Sequence, residues 1–152
     1  MINMEIRNCD ISIKLLDKLY QIEKQCFERE ALTKQQLVYL FRDYNNRKLV
    51  AFLNNETAGF AITRLNIGKK QSFGHILTVD VAPAYRRRGI AQKILQEIEI
   101  LFKDHGISES RLEVRENNIA ALNLYHKLGY KEIAKLERYY GKANGLYLRK
   151  KL

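Results

Sequence analysis

The stretch at residues 80–91 constrains the fold of this chain most, because it joins an apolar strand to a long helix through a basic turn. The apolar run at 76–81 predicts a buried strand, and Pro83, the only proline, ends it because proline cannot donate to a β-ladder. From Ile90 onward, apolar residues recur at helical spacing, which predicts an amphipathic helix that begins near Gly89. Any fold for this chain must therefore place a strand, a tight turn and a helix in direct succession.

The turn before this helix has the features of an anion-binding site. The first turn of a helix has unpaired backbone N–H groups and the positive end of the helix dipole, and Arg86, Arg87 and Arg88 precede it here. Gly89 lets a ligand approach the backbone closely, and the small side chain of Ala91 leaves room in the next turn. A phosphate or pyrophosphate is therefore the expected ligand, and a solvated basic helix start is the alternative.

Composition predicts one globular domain over residues 1–152, with 46% apolar and 29% charged residues. The formal net charge of +10 favours an anionic partner, which could be nucleic acid, an anionic cofactor or an acidic protein substrate. Cys9 and Cys26 have neither disulfide-framework nor zinc-site spacing, so we expect a reducing, cytoplasmic environment. No apolar run approaches the roughly 20 residues that cross a membrane, and Glu5 and Asp10 do not fit a signal peptide.

The order of predicted elements indicates an α+β domain with a mixed sheet packed between helices. The predicted order of elements is β-α-α-β-β-β-α-β-α-β-β. The predicted strands lie at 4–8, 49–53, 58–64, 73–81, 111–115, 130–136 and 145–152. The predicted helices lie at 12–25, from Thr33 to a break at Asn45 and Asn46, at 89–105, and after a cap at Asn117 or Asn118.

The basic turn resembles a known signature. Its residues Arg86, Arg87, Arg88, Gly89, Ile90 and Ala91 are similar to the Arg/Gln-x-x-Gly-x-Gly/Ala motif of the GCN5-related N-acetyltransferases (GNAT), with alanine where glycine is commoner. The resemblance implies the GNAT fold, and it implies that these six residues hold the pyrophosphate of acetyl-CoA. It further implies that backbone groups of Val79 and Val81 bind the pantetheine arm, where this strand and the parallel strand ending at Arg115 splay apart.

A second stretch, residues 112–130, resembles the RimI-like branch of this family, whose members acetylate protein N-termini. The run Leu-Glu-Val-Arg-x-x-Asn-x-x-Ala-x-x-Leu-Tyr-x-x-Leu-Gly-Tyr is in register here. The resemblance implies that Glu113 is the general base and that Asn118 and Ala121 contact the cofactor. It implies that Tyr125 contacts the cofactor and acts as the general acid. Without the motif, Glu113 reads as an ion-pair partner of a neighbouring strand arginine and Tyr125 as an aromatic core residue.

These residue types suit acetyl transfer to an amine. A protonated amine is not a nucleophile, so a carboxylate such as Glu113 must first accept a proton. The thiolate that leaves needs a proton, which a phenol with a pKa near 10 can donate while it remains neutral at pH 7. Asp80 is an alternative base, because Arg111 and Arg115 flank Glu113 and would depress its pKa.

The acceptor is expected to be the α-amine of a protein N-terminus, ribosomal proteins included. A lysine has a pKa near 10.4 against 7.7–8.0 for an α-amine, so its deprotonation at pH 7 costs roughly 3–4 kcal/mol more. Tyr139 and Tyr140 resemble the Tyr-Tyr turn with which this branch encloses a peptide terminus; the alternative is a pair of strand-end aromatics that pack on a loop. Glu28 and Glu30 either attract a cationic amine or are simply solvated.

The chain also departs from the RimI-like pattern in two places. After Gly145 it continues with Leu146, where that branch usually has an acidic residue, so a shortened hairpin is expected. The segment between the first two helices lacks the proline and tryptophan often found there. Both departures lie in segments that determine which acceptor binds in this branch of the family.

Two other functions stay open. One is an acetyltransferase for lysine side chains or small amines such as polyamines. The other is a non-catalytic nucleic-acid-binding domain, to which the basic stretch at 149–151 would contribute. His75, His105 and His126 have no metal-ligand spacing, so we expect no metal site and place these histidines at the surface or in loops.

Overall fold

The computed structural model describes residues 3–152 and has the predicted α+β order of elements. The strands are β1 (Met4–Arg7), β2 (Asn46–Leu53), β3 (Glu56–Ile67), β4 (Ser72–Val81), β5 (Glu109–Arg115), β6 (Lys131–Tyr140) and β7 (Ala143–Lys151), and the helices are α1 (Ile13–Phe27), α2 (Lys34–Arg42), α3 (Ile90–Asp104) and α4 (Ile119–Lys127). The seven strands are mostly antiparallel and follow the order β1-β2-β3-β4-β5-β7-β6. The predicted fold class is confirmed. None of the helices described is long and apolar enough to cross a membrane.

Side chains that cap the helices explain where three of them begin. Ser12 accepts from the backbone N–H of Leu15 at the start of α1. Thr33 and Gln36 form a capping box at the start of α2, in which each side chain accepts from the other residue's backbone N–H. Asn118, one of the two predicted caps, begins α4. Each cap satisfies backbone donors that the helix itself leaves unpaired.

The chain divides into two compact units, and neither is continuous in sequence. The first runs to Arg64 and includes Thr78–Ile98, and the second comprises Leu65–Leu77 and Glu99–Leu152. Strands β3 and β4 and helix α3 each contribute residues to both units. The prediction of a single domain stays a prediction.

The first unit has a core between its strands and its helices. Strand β2 pairs antiparallel with β1 and with β3. Fully or almost fully buried apolar side chains come from α1, α2, β2, β3 and α3, and they include Leu19, Leu37, Phe41, Val50, Phe60, Ile62, Ile94 and Leu95. Gly59 on β3 lies so close to β4 that an added Cβ would be 2.4 Å from the carbonyl oxygen of Asp80. Only glycine therefore permits this approach of the two backbones.

The second unit is built on β5 and β7. Residues 74–76 of β4 pair in parallel with residues 110–112 of β5, and β7 pairs antiparallel with both β5 and β6. The core of this unit includes Phe102, Ile107, Leu112, Tyr130 and Leu148. The parallel pairing of these two strands agrees with the arrangement that the sequence resemblance implies.

Several strands extend further than their sequence patterns predict, and β2 and β6 show the physical reasons. Strand β2 begins at Asn46, predicted as a break, because the buried side chain donates to the carbonyl of Leu40 instead of disrupting the strand. Strand β6 continues past its predicted end to Tyr140. Nearly all of β6 is exposed, so it lacks the alternation of buried and exposed residues that reveals a strand in a sequence. The backbone N–H of Arg138 donates to Asn144 near the turn.

Candidate active site

The basic turn of the first unit has the backbone geometry of an anion site. Arg87 and Gly89 have positive φ angles of 62° and 77°, and α3 begins directly afterwards at Ile90. Residues 86–89 are exposed, whereas the side chain of Ile90 is only 2% exposed and anchors the helix in the core. An added Cβ at Gly89 would meet nothing within 4 Å, so the space over this residue is open. The turn therefore offers an accessible helix N-terminus to an anion.

The three arginines of this turn have different surroundings. Arg86 is exposed but makes two contacts with the protein: its Nε donates to the carbonyl of Val81 at 3.2 Å, and its Nη2 lies 3.5 Å from Sγ of Cys26. Arg88 lies over the ring of Tyr85, 5.7 Å from the centroid. Arg86 thus fastens the turn to the end of β4, while the exposed Arg87 and Arg88 contribute positive charge.

The two faces of β4 differ near its end. Val79 and Val81 are half-buried, whereas Thr78 and Asp80 are buried on the opposite face. Asp80, predicted to contact substrate, is 0% exposed, and its Oδ1 accepts from the hydroxyl of Thr78 at 2.5 Å. The pKa of Asp80 is raised well above its ordinary value by burial, and the hydrogen bond and charge of Glu23 add to the effect. Burial beside Glu23 therefore disfavours the charged form of its carboxyl group.

In the second unit, Glu113 is paired with a histidine. Oε2 of Glu113 on β5 lies 2.6 Å from Nε2 of His75 on β4, and the two side chains are 20% and 26% exposed. His75 was expected at the surface or in a loop; it occupies β4, where its side chain is half-buried. The alternation of side chains along a strand could have predicted this position, because the odd-numbered residues of β4, which include Val79 and Val81, share the half-buried face.

Two tyrosines of the second unit are electrostatically coupled to Glu113. The rings of Tyr139 and Tyr140 meet edge to face, with centroids 4.9 Å apart. The pKa of Tyr140 is raised to about 12 by burial, by the neighbouring Tyr139 and by the charge of Glu113 together. The pKa of Tyr139 is also raised, by burial and by Glu113. Both phenols therefore stay neutral around physiological pH.

Gly145 on β7 makes room for this tyrosine pair. An added Cβ there would lie 3.0 Å from the ring of Tyr140 and 3.3 Å from Cβ of Tyr139. The residue pairs with Leu136 on one side and with Arg115 on the other. The missing side chain thus lets the two rings pack against the backbone of β7.

Tyr125 and Asn118 lie on α4. The ring of Tyr125 meets Tyr130 edge to face at 5.8 Å, and its electrostatic influence contributes to the raised pKa of Tyr140. Oδ1 of Asn118 accepts from the backbone N–H of Ala121, 3.2 Å away, in the helix cap. The capping oxygen keeps a second lone pair, so both the oxygen and the amide nitrogen of Asn118 can contact a ligand.

The arginines that flank Glu113 have other partners. Arg111 pairs with Glu109 at 3.1 Å and covers the ring of Phe73 at 4.0 Å. The guanidinium of Arg115 lies 5.4 Å from the ring centroid of Tyr140. The sequence alone could not predict the partner of Arg111, because Glu109 and Glu113 flank it at equal distance along the same strand.

The acidic residues Glu28 and Glu30 belong to the first unit. They lie in a short 3-10 turn, Glu28–Glu30, between α1 and α2. Glu28 is exposed and has a positive φ of 49°, which is uncommon for a residue other than glycine. Its side chain is thus presented to solvent by a constrained backbone.

Comparisons with known proteins agree on one family. The sequence profile of the acetyltransferase (GNAT) family matches residues 16–130. An N-alpha-acetyltransferase of Sulfurisphaera tokodaii is 34% identical over 133 residues, which cover 79% of this chain and 80% of that protein. A ribosomal protein bS18-alanine N-acetyltransferase of Haemophilus influenzae is 30% identical, with coverage of 93% and 88%. The crystal structure of the NatC complex bound to Gag peptide and CoA contains a chain of the same fold, with a TM-score of 0.87, 21% identity and 98% coverage of each chain.

Proposed function

Because the chain belongs to the GNAT family of acetyltransferases, we propose that it transfers the acetyl group of acetyl-CoA to the α-amine of protein N-termini. The observation that carries this proposal is the half-buried Glu113, paired with His75 and electrostatically coupled to Tyr139 and Tyr140. A carboxylate with this environment can accept a proton from an amine, and two neutral phenols can enclose a peptide terminus. The relatives named for N-alpha-acetylation support the same acceptor class.

The basic turn fits the pyrophosphate of acetyl-CoA, which supplies the acetyl thioester. Backbone N–H groups at the start of α3 would bind the phosphate oxygens, and the open space over Gly89 allows this close approach. Arg87, Arg88 and the small Ala91 would complete the site. Arg86 would act by fastening the turn to Val81, and Val79, Val81, Asn118 and Ala121 would bind the pantetheine arm.

Glu113 would act as the general base and Tyr125 as the general acid. His75 would orient the carboxylate of Glu113 by donating from Nε2 through the 2.6 Å contact. Tyr125 would donate its phenolic proton to the leaving thiolate. In this scheme Glu113 and Tyr125 transfer protons, and His75 orients the base.

Tyr139, Tyr140 and the exposed Glu28 would bind the acceptor. An α-amine suits a carboxylate base better than lysine does, because its lower pKa makes deprotonation cheaper by roughly 3–4 kcal/mol at pH 7. Ribosomal proteins are plausible acceptors by analogy with the Haemophilus relative, and such acceptors would place the reaction in the cytoplasm.

Acetyl transfer to a defined panel of acceptors tests this proposal. Labelled acetyl-CoA is supplied with short peptides that have free or blocked N-termini, with lysine peptides and with polyamines. Wild-type protein is expected to acetylate only free N-termini, and Glu113→Gln is expected to lower kcat at least about a hundredfold, the usual scale for a general base.

Glu132→Gln is the matched control, since it removes a carboxylate from an exposed position of β6. It should retain the wild-type rate. Transfer to lysine peptides or polyamines would change the acceptor class. A wild-type rate in Glu113→Gln would remove the proposed base, and the absence of any transfer despite cofactor binding would favour a binding domain.

A further inference from the structure

A buried carboxylate pair in the first unit lies outside the chemistry described so far. Glu23 on α1 is 2% exposed and Asp80 on β4 is 0% exposed. The hydroxyl of Thr78 stands between them, 2.5 Å from Oδ1 of Asp80 and 3.4 Å from Oε1 of Glu23. Two carboxylates are rarely retained in a core without a partner, because burial of an unpaired charge is costly.

The other oxygen of Glu23 holds the segment that precedes α2. Its Oε2 accepts from the backbone N–H of Leu32 at 2.9 Å. Leu32 directly precedes Thr33, the cap of α2, and follows the Glu28–Glu30 turn. A single side chain of α1 therefore contacts both the end of this connecting segment and the strand that carries Asp80.

The connecting segment and this strand are the two parts of the first unit to which the proposed function assigns substrate contacts. Glu28 lies in the segment, and Val79 and Val81 flank Asp80 on β4. We propose that Glu23 and Asp80 are positioning residues that fix the segment at 27–32 relative to β4 and thereby set the affinity for the acceptor. This inference rests on the proposed function, and it gives Asp80 a role other than direct contact with the amine.

The hydrogen bonds among Thr78, Asp80 and Glu23 indicate a second proton in addition to the hydroxyl proton of Thr78. One hydroxyl proton faces two carboxylates, and Oδ2 of Asp80 is buried without a donor among the described residues. A proton on Asp80 turns that carboxyl into a donor and removes the repulsion between two anions. The raised pKa of Asp80, caused first by burial and then by Glu23, agrees with this state.

The neighbours of Asp80 in the first unit set how this state responds to pH. Glu23 raises its pKa, whereas the charge of Arg86 lowers it. The pKa of Cys26 on α1 is raised by burial and by the charge of Asp80. The neighbouring residue of β3 is Gly59, which has no side chain. For an acid with a raised pKa, the neutral form is present below that pKa and is lost above it. The contact should therefore be intact below the pKa of Asp80 and weaken as pH rises through it.

Amide hydrogen exchange and acceptor kinetics together test the role of Glu23. In Glu23→Ala, the amide of Leu32 loses its acceptor, so its exchange should accelerate and the acceptor KM should rise by about tenfold each, on the scale of one hydrogen bond to a charged group. The KM for acetyl-CoA should stay unchanged. Asp17→Ala is the matched control, because it removes the exposed α1 carboxylate that pairs with Lys34 of α2 at 2.6 Å. It should leave both quantities at their wild-type values.

Asp80→Asn tests the proton, because asparagine keeps the shape and donor of a protonated aspartate at every pH. The wild-type acceptor KM divided by that of Asp80→Asn should be near one at the low end of a pH series and rise severalfold as pH passes the pKa of Asp80. This ratio cancels the titration of the acceptor amine. It also gives a second test if Glu23→Ala does not fold.

Three outcomes overturn the inference: unchanged exchange of Leu32 in Glu23→Ala, accelerated exchange without a change in acceptor KM, or identical pH profiles of wild type and Asp80→Asn. Failure of the proposed function is recognised separately. It would appear as a wild-type protein that acetylates no N-terminus, whatever the exchange of Leu32.

Discussion

The imidazole of His75 and the carboxylate of Glu113 lie 2.6 Å apart, although 38 residues separate them in the chain. Parallel pairing of β4 and β5 aligns His75 with Arg111, so that Glu113 is the next residue on the same face of β5. The contact gives the proposed base an orientation and a nearby second titratable group.

His75→Ala should therefore lower kcat by about ten- to a hundredfold, within the range of acid–base contributions, without raising the KM for acetyl-CoA. His75→Gln should recover part of the loss, because it can still donate to Glu113. Steady-state kinetics across pH 6 to 9 provide the measurement, and the limb of the kcat/KM profile at low pH should change in both variants. His126→Ala, in an exposed position of α4, serves as the control. A wild-type profile in His75→Ala would contradict this role.

Gly89→Ala should weaken acetyl-CoA binding. Its φ of 77° costs an alanine about 1–2 kcal/mol, and relief of this strain would rotate the backbone N–H groups of the turn. Titration calorimetry with CoA should show about a tenfold higher Kd, while the acceptor KM stays constant. Gly106→Ala is closely matched, with a φ of 73° and equally open space at the end of α3. It should lower stability by a similar amount and leave the Kd unchanged, and equal effects of both variants on Kd would argue against the turn as the pyrophosphate site.

Gly145→Ala should raise the acceptor KM. Its Cβ would press against Tyr140 and Tyr139 at 3.0 and 3.3 Å, so the two rings must shift by a few tenths of an ångström or more. Peptide kinetics at saturating acetyl-CoA measure the effect. Gly141→Ala strains the same hairpin through a positive φ of 71° but meets no atom within 4 Å. If that variant raises the acceptor KM equally, general loosening of the hairpin explains the result and the tyrosine contacts do not.

The stability of the protein should fall above pH 10 because of Tyr130. This tyrosine is 2% exposed, and its pKa is raised, first by burial, despite the 2.8 Å hydrogen bond with Ser110. The unfolded chain loses the phenolic proton near pH 10, whereas the folded protein retains it, so folding is penalised as pH rises above 10. Tyr130→Phe should cost about 1 kcal/mol at pH 8 through the lost hydrogen bond. The difference in unfolding free energy, measured by urea denaturation, should narrow between pH 10 and 11, and a constant difference would contradict this account.

Much of the fold could be predicted because its determinants are local. The spacing of apolar residues indicated α1 and α3, and Ser12, Thr33 and Asn118 marked helix starts by the chemistry of their side chains. The exposed strand β6 was predicted too short, because a strand without a buried face has no apolar alternation to reveal it.

The candidate site was predicted only in part, for a related reason. Glu113, Tyr125 and the basic turn lie in contiguous motifs, so a resemblance identifies them. His75 and Glu23 act through partners 38 and 55 residues away, and such pairs depend on strand register and helix packing that no single sequence displays. Asp80 was recognised as unusual, but its burial became visible only in the structure.

The position of β7 has a consequence for synthesis of the protein. Strand β7 lies between β5 and β6 and supplies hydrogen-bonded partners to both, yet it is translated after them. Until residues 143–151 leave the ribosome, the half of the protein that holds Glu113 has two strands with open edges. Nascent chains stalled before this point should therefore engage chaperones, and protease resistance should appear only once residues 143–151 have left the exit tunnel.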